Sequence, residues 1–198
     1  MKHHIRIMPD PVILAFGDSL TAGYGLPSDQ SFAAQLELAL RRTLPRAAVL
    51  NAGVSGDTTA SGLARLPRVL SGLSLRPDLA IVELGANDLL RGIDPARTAA
   101  NLDSILLELG RAGVPPLVAG MLAPPFLGPF AQRFNAIFAQ AAKRHGAAFY
   151  PFFLDGVVGD RSLVLADGVH PNARAIGIVT ERILPTVLAA LPKRAEAA

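Results

Sequence analysis

Short apolar runs alternate along this chain with longer stretches of helical period, and that alternation constrains the fold more than any other feature of the sequence. Runs of strand length fall at 12–16, 47–51, 79–84, 117–121 and 147–150. A strand buried on both faces reads as a continuous apolar run, and parallel neighbours need a crossover connection between them. Runs of this kind separated by helical segments therefore predict a parallel sheet covered on both sides.

The intervening stretches carry the helical signal. Phe32, Leu36, Leu40 and Leu44 recur every four residues, and Leu63, Leu66 and Leu70 mark a second helix with Asp57 as its expected N-cap. Asp94-Pro95 reads as an N-cap followed by an N1 proline, opening a helix that carries Leu102, Ile105, Leu106 and Leu109. Phe130, Phe134, Ile137, Phe138 and Ala141 form a stripe that stops near Gly146. Pro171 is expected to open the last helix, with Ile176, Val179, Ile183 and Val187 inward and Pro185 kinking or cutting it. The chain has 198 residues, 51% of them apolar, which suits one domain over 1–198 with a core spanning about 11–191. The expected fold is α/β, a three-layer α/β/α flavodoxin-like arrangement around a parallel sheet of about five strands.

Charge and cysteine content remove several functions. The formal charge of +3 comes from scattered arginines, with no basic stripe interleaved with aromatics, so no nucleic-acid partner is expected. The absence of cysteine excludes disulfides, thiolate nucleophiles and Cys-ligated metals. No segment reaches membrane-spanning length, so no stable membrane anchor is expected. Residues 1–10 lack the apolar stretch and cleavage site of a signal peptide. That start leaves the localisation open: the cytoplasm is the expectation for the chain as it stands, and the periplasm or the outside of the cell if it is a mature or trimmed form.

In a sheet of this kind ligands bind beyond the carboxyl ends of the strands. The polar clusters fall there: Gly17-Asp18-Ser19, Gly53-Val54-Ser55-Gly56, Gly85-Ala86-Asn87-Asp88, and Asp167-Gly168-Val169-His170 before the last helix. The glycines after the first strand suggest a phosphate cradle, but Gly23-Tyr24-Gly25-Leu26-Pro27-Ser28 lacks the third small residue and no Gly-Lys-Ser/Thr follows. A serine in such a turn is also a common helix cap, and a histidine in such a loop is also a common solvated residue. Ser19 becomes a candidate nucleophile because His170 can take its proton and Asp167, three residues earlier, can orient the imidazole. His3, His4 and His145 have no acid beside them in a comparable motif. The backbone N–H of Ser19, the backbone N–H of Gly53 and the amide of Asn87 are the candidate donors to an oxyanion.

The blocks Gly17-Asp18-Ser19-Leu20-Thr21, Asn51-Ala52-Gly53-Val54-Ser55-Gly56-Asp57-Thr58, Gly85-Ala86-Asn87-Asp88 and Asp167-Gly168-Val169-His170-Pro171 resemble, in this order, the four blocks of the SGNH (GDSL-type) hydrolases. The likeness is greatest to the bacterial thioesterase I / lysophospholipase L1 / arylesterase branch. The resemblance implies Ser19, Asp167 and His170 as triad, Gly53 and Asn87 completing the oxyanion hole, a small ester or thioester as substrate, and neither metal nor organic cofactor. Many members are exported, whereas this chain shows no leader, and Asp155 and Asp160 near the last block have no assignable role. The loops 89–93 and 122–130, with Leu89, Leu122 and Phe126, are expected either to line an acyl or aryl groove or to pack over the sheet edge. A carbohydrate O-acetylesterase would share the triad but requires a polar pocket, and a nonenzymatic ligand-binding domain would require the four blocks to coincide by chance.

Overall fold

The computed structural model describes residues 11–192, so the readings made on His3, His4 and the start of the chain lie outside the described residues. Its strands are β1 (Val12–Gly17), β2 (Ala48–Gly53), β3 (Leu79–Glu83), β4 (Pro116–Ala119) and β5 (Ala148–Tyr150). All neighbours pair in parallel, in the order β2-β1-β3-β4-β5. This is the doubly wound order in which the chain moves outward from β1 to β2 and then returns past β1 to β3. The switch between β1 and β3 opens a crevice at the carboxyl ends of these strands, and Ser19 follows β1 directly.

The helices are α1 (Ser19–Ala22), α2 (Phe32–Leu40), α3 (Thr59–Ser71), α4 (Ala86–Leu90), α5 (Pro95–Arg111), α6 (Pro129–His145) and α7 (Ala173–Ala190). α2 packs on α7, while α5 packs on both α3 and α6, which gives the two helical layers of the expected fold. Every residue of β3 is buried, and Phe16, Phe32, Phe134, Phe138 and Phe153 are fully enclosed in the core. The apolar runs were expected at the right places, with shifts of one or two residues at their ends. Pro116 opens β4 without harm because the first residue of a strand can lack its N–H.

Four boundary readings are corrected. Leu44 lies beyond α2, since Pro45 disfavours helical backbone in the residue before it, yet Leu44 still packs half-buried on the core. The cap of α3 is Thr58, which accepts from Ser61 N–H at 3.2 Å; Asp57 instead pairs with Arg65. α7 starts at Ala173 behind the cap Asn172, because Pro171 is held outside the helix by an antiparallel bridge to Val164. Pro185 does not cut α7, which continues to Ala190; the ring removes only one hydrogen-bond donor from its last turns. The Asp94 cap, the Pro95 start and the Gly146 stop are as expected.

Candidate active site

Asp18 lies between β1 and α1 and accepts from Leu20 N–H at 3.0 Å, so it caps a single helical turn whose first residue is Ser19. The first N–H groups of a helix have no partner within it, and the Ser19 N–H has no acceptor among the described residues. The serine hydroxyl is half-buried at the sheet edge. His170 Nε2 stands 3.1 Å from Ser19 Oγ, and His170 Nδ1 stands 2.7 Å from Asp167 Oδ2. With the Nδ1–H given to the carboxylate, Nε2 is left as the acceptor facing the hydroxyl.

The other oxygen of Asp167 accepts from Val169 N–H at 2.9 Å and His170 N–H at 3.0 Å. These backbone donors, and then the bond to the His170 ring, pull Asp167 down to about 2, so it is a carboxylate at any ordinary pH. Asn87, on α4, donates to Asp57 O at 2.9 Å and to Asp18 Oδ2 at 3.1 Å. Its neighbour Asp88 is wholly buried and accepts from Thr59 N–H at 2.8 Å, Thr59 Oγ1 at 2.6 Å and Thr98 Oγ1 at 3.1 Å. That carboxylate ties the starts of α3 and α5 to α4 and thereby fixes the turn that carries Asn87.

Beneath the serine two acids share a buried space. Glu83, at the end of β3, accepts from Thr21 Oγ1 at 2.8 Å and from Asp18 N–H at 3.4 Å, while its Oε1 has no partner among the described residues. Burial and the nearby Asp18 charge push Glu83 well above the usual carboxylate range. Burial also pushes Asp18 up to about 6, with the Leu20 N–H and the Asn87 amide acting in the opposite sense. Asp18 has a donor on each oxygen, whereas Glu83 has both of its donors on Oε2, so Glu83 is the acid of the pair that keeps its proton to the higher pH.

The profile of the GDSL-like Lipase/Acylhydrolase family matches residues 15–175. The chain belongs to this family. It is 38% identical over 176 residues to Esterase TesA of Pseudomonas aeruginosa, covering 88% of this chain and 87% of that protein. It is 36% identical over 164 residues to Thioesterase 1/protease 1/lysophospholipase L1 of Escherichia coli K12, covering 82% of this chain and 76% of that protein. Among solved structures, AlinE4, an SGNH-hydrolase family esterase, superposes with a TM-score of 0.78 at 47% identity, covering 94% of this chain and all of that one. The GDSL-like acylhydrolase is thus a carboxylic ester hydrolase.

Of the expected site residues, His170 lies between Ser19 and Asp167 and Asn87 binds Asp18 next to Ser19, whereas the Gly53 N–H is occupied. Val54 N–H pairs with Gly17 O, so on edge strand β2 the Gly53 N–H faces away from β1, where Asn51 Oδ1 accepts it at 3.0 Å. A Cβ at Gly53 would overlap the Ala22 backbone, which accounts for a glycine there on packing grounds. The glycine of this block whose N–H has no acceptor among the described residues is Gly56, at φ 86°, whose carbonyl is held by Arg91 Nη2 at 2.8 Å and whose neighbour Asp57 binds Asn87. Sequence reasoning missed it because two glycines stand in one block.

The three candidate substrate residues are not gathered into a closed pocket. Leu89 is half-buried on α4, Leu122 is largely exposed, and Phe126 is 84% exposed on the 3₁₀ turn Pro125–Leu127. Asn135 clamps the same loop by accepting from Ala123 N–H at 2.6 Å. Open grooves lie elsewhere, one of about 530 Å³ between β2 and α3 and one of about 450 Å³ between α5 and α6. His145, without an acid in its own motif, does face one in space, Asp103 on α5 at 3.1 Å. Asp155 pairs with Arg182, and Asp160 caps the 3₁₀ turn Arg161–Leu163. No helix among the described residues is long and apolar enough to cross a membrane.

Proposed function

We propose that this chain hydrolyses carboxylic esters and thioesters in two steps through an acyl-enzyme on Ser19. The single observation carrying the reading is the run of contacts from Asp167 Oδ2 through both His170 nitrogens to Ser19 Oγ, with separations of 2.7 and 3.1 Å. His170 Nε2 removes the hydroxyl proton as Ser19 Oγ bonds to the acyl carbon, and the carbonyl pair moves onto oxygen. The resulting imidazolium is stabilised by Asp167. When the carbon–leaving-group bond breaks, Nε2 returns the proton to the departing alcohol or thiol. Water then repeats the sequence on the ester of Ser19, losing its proton to Nε2 and releasing the acid.

The oxyanion requires donors that do not have to be found at the moment of reaction. Ser19 N–H and Gly56 N–H have no acceptor among the described residues, and the Asn87 amide binds the neighbour of each, Asp18 and Asp57. The two N–H groups supply the hole, with Gly56 in place of Gly53, and the Asn87 amide joins them by exchanging its bond to Asp18 Oδ2 for one to the oxyanion. Asp18 is buried and accepts from both Leu20 N–H and the Asn87 amide, so its carboxylate orients the Ser19 turn and that amide together. Exposed apolar side chains on the loops beyond β3 and β4, Leu90, Leu122 and Phe126, support an acyl or aryl group as the part recognised.

A fluorophosphonate followed by peptide mass analysis tests the assignment, with label expected on Ser19. p-Nitrophenyl esters of increasing chain length, an acyl-CoA and an acetylated sugar then rank the substrate classes. Ser19→Ala retaining near-full esterase activity would falsify the reading.

A further inference from the structure

Gly23, Tyr24 and Gly25 have no part in the chemistry above, yet they form the turn that leaves α1. Both glycines adopt positive φ, 81° and 71°, which side-chain-bearing residues rarely take. A Cβ on Gly23 would meet Ser31 Cβ at 2.8 Å, and one on Gly25 would meet Leu165 Cδ1 at 2.7 Å. The turn therefore admits one large side chain, flanked by two positions that admit none. Gly23 N–H and Tyr24 N–H both donate to Ser19 O at 3.1 Å, which anchors the turn on the nucleophile itself. At its other end Gly25 rests on Leu165, whose N–H donates to His170 O at 2.7 Å.

The side chain so presented is laid against the imidazole. Ring centroids of Tyr24 and His170 are 4.3 Å apart, with the planes tilted by 33°. The tyrosine is 51% exposed and its hydroxyl makes no hydrogen bond among the described residues, so neither core burial nor the phenol explains the placement. A single bond from Nδ1 to Asp167 leaves the imidazole able to swing about that contact. A second plane packed on the ring removes this freedom. An aromatic face also carries negative quadrupole density, which attracts a cation lying over it.

We propose that Tyr24 is a positioning residue: its ring holds the His170 imidazole with Nε2 on Ser19 Oγ and supports the imidazolium formed in both acylation and deacylation. The inference rests on the reading of Ser19 and His170 given above. It predicts a loss in the chemical steps without a loss in substrate binding. A wall of the acyl site would behave in the opposite way, changing KM in a manner that depends on chain length.

The test compares Tyr24→Phe, Tyr24→Leu and Tyr24→Ala, with kcat normalised by active-site titration and folding checked by Tm. Phe is expected to stay within about twofold of the parent, whereas Leu and Ala lower kcat about three- to thirty-fold, the span of an aromatic–cation contact. KM for short esters should stay within about twofold, and the fluorophosphonate labelling rate should fall with kcat, because labelling uses the same serine activation. In NMR spectra the His170 ring protons should move downfield in Leu and Ala as the ring current is lost. Full kcat in Tyr24→Leu, a change confined to KM, or a Phe variant as slow as Leu would each overturn the proposal. Activity surviving in Ser19→Ala would instead overturn the reading beneath it, so the two failures are distinguishable.

Discussion

Asn87 Nδ2 donates to Asp18 Oδ2 at 3.1 Å, so the acid that caps the helix opened by Ser19 also aims an amide carried by α4. With its other hydrogen on Asp57 O, this one side chain joins the turns that follow β1, β2 and β3. Both hydrogens of the amide are engaged, so an arriving carbonyl oxygen takes the one on Asp18 Oδ2, the longer of the two bonds, while the bond to Asp57 O keeps the amide in place. Asn87→Ala is expected to lower kcat about 10²–10³-fold with little change in KM, since the lost contact forms mainly in the transition state. Steady-state kinetics on a p-nitrophenyl ester measure it; a loss below about tenfold removes Asn87 from the oxyanion hole.

The choice between Gly53 and Gly56 has its own test in Asn51. If Gly53 N–H were the donor, removing the Asn51 oxygen that occupies it should free the hole and speed the reaction. If Gly56 is the donor, Asn51→Ala should leave kcat/KM within about threefold, as for an exposed substitution away from the reacting atoms. A clear gain in kcat would restore Gly53.

Asp167→Asn separates orientation from mere contact. Two backbone N–H groups need an acceptor at Asp167 Oδ1, so the amide oxygen takes that place and presents NH₂ to His170 Nδ1. The ring must then carry its proton on Nε2, which points a donor at Ser19 where an acceptor is needed. A fall in kcat of about 10⁴ is expected, the scale seen when a triad acid is made neutral. Because Asp167 is partly exposed, Tm should change little. A variant retaining a tenth of the parent kcat would show that the tautomer is set elsewhere.

The sheet and the pairing of Asp167 with His170 were legible in the chain because each rests on local patterns. Buried parallel strands leave continuous apolar runs, and an Asp three residues before a His at a helix start is visible without coordinates. What stayed hidden depends on directions in space. Whether Gly53 or Gly56 offers a free N–H follows from which way alternate N–H groups leave an edge strand, and from the Asn51 side chain lying across one of them. Pro171 looked like a helix opener, yet its bridge to Val164 holds the His170 loop off the helix. Tyr24 read as a residue in a leftover turn, since its contact with His170 links positions far apart in sequence. Glu83, inside an apolar strand, gave no sign that its carboxyl would meet Asp18.

That buried pair makes stability depend on pH in a direction opposite to most paired carboxylates. Between the ordinary value of 3.8 and its folded value of about 6, Asp18 keeps a proton that the unfolded chain has released, so stability falls as the pH rises through that window. Glu83 extends the fall upward from 4.5, because its folded value is raised well above it. Asp167 acts in the other sense, contributing stability above 3.8 that is lost as the pH falls through about 2. For fully enclosed Asp18 the loss between pH 4 and pH 8 is about 2–3 kcal/mol. Glu83→Gln keeps an acceptor for Thr21 and Asp18 N–H but has no proton to lose. Urea denaturation at pH 5 and pH 8 should therefore show the parent losing more stability than Glu83→Gln across that interval. Equal losses in the two proteins would mean that Glu83 does not hold its proton in the folded chain.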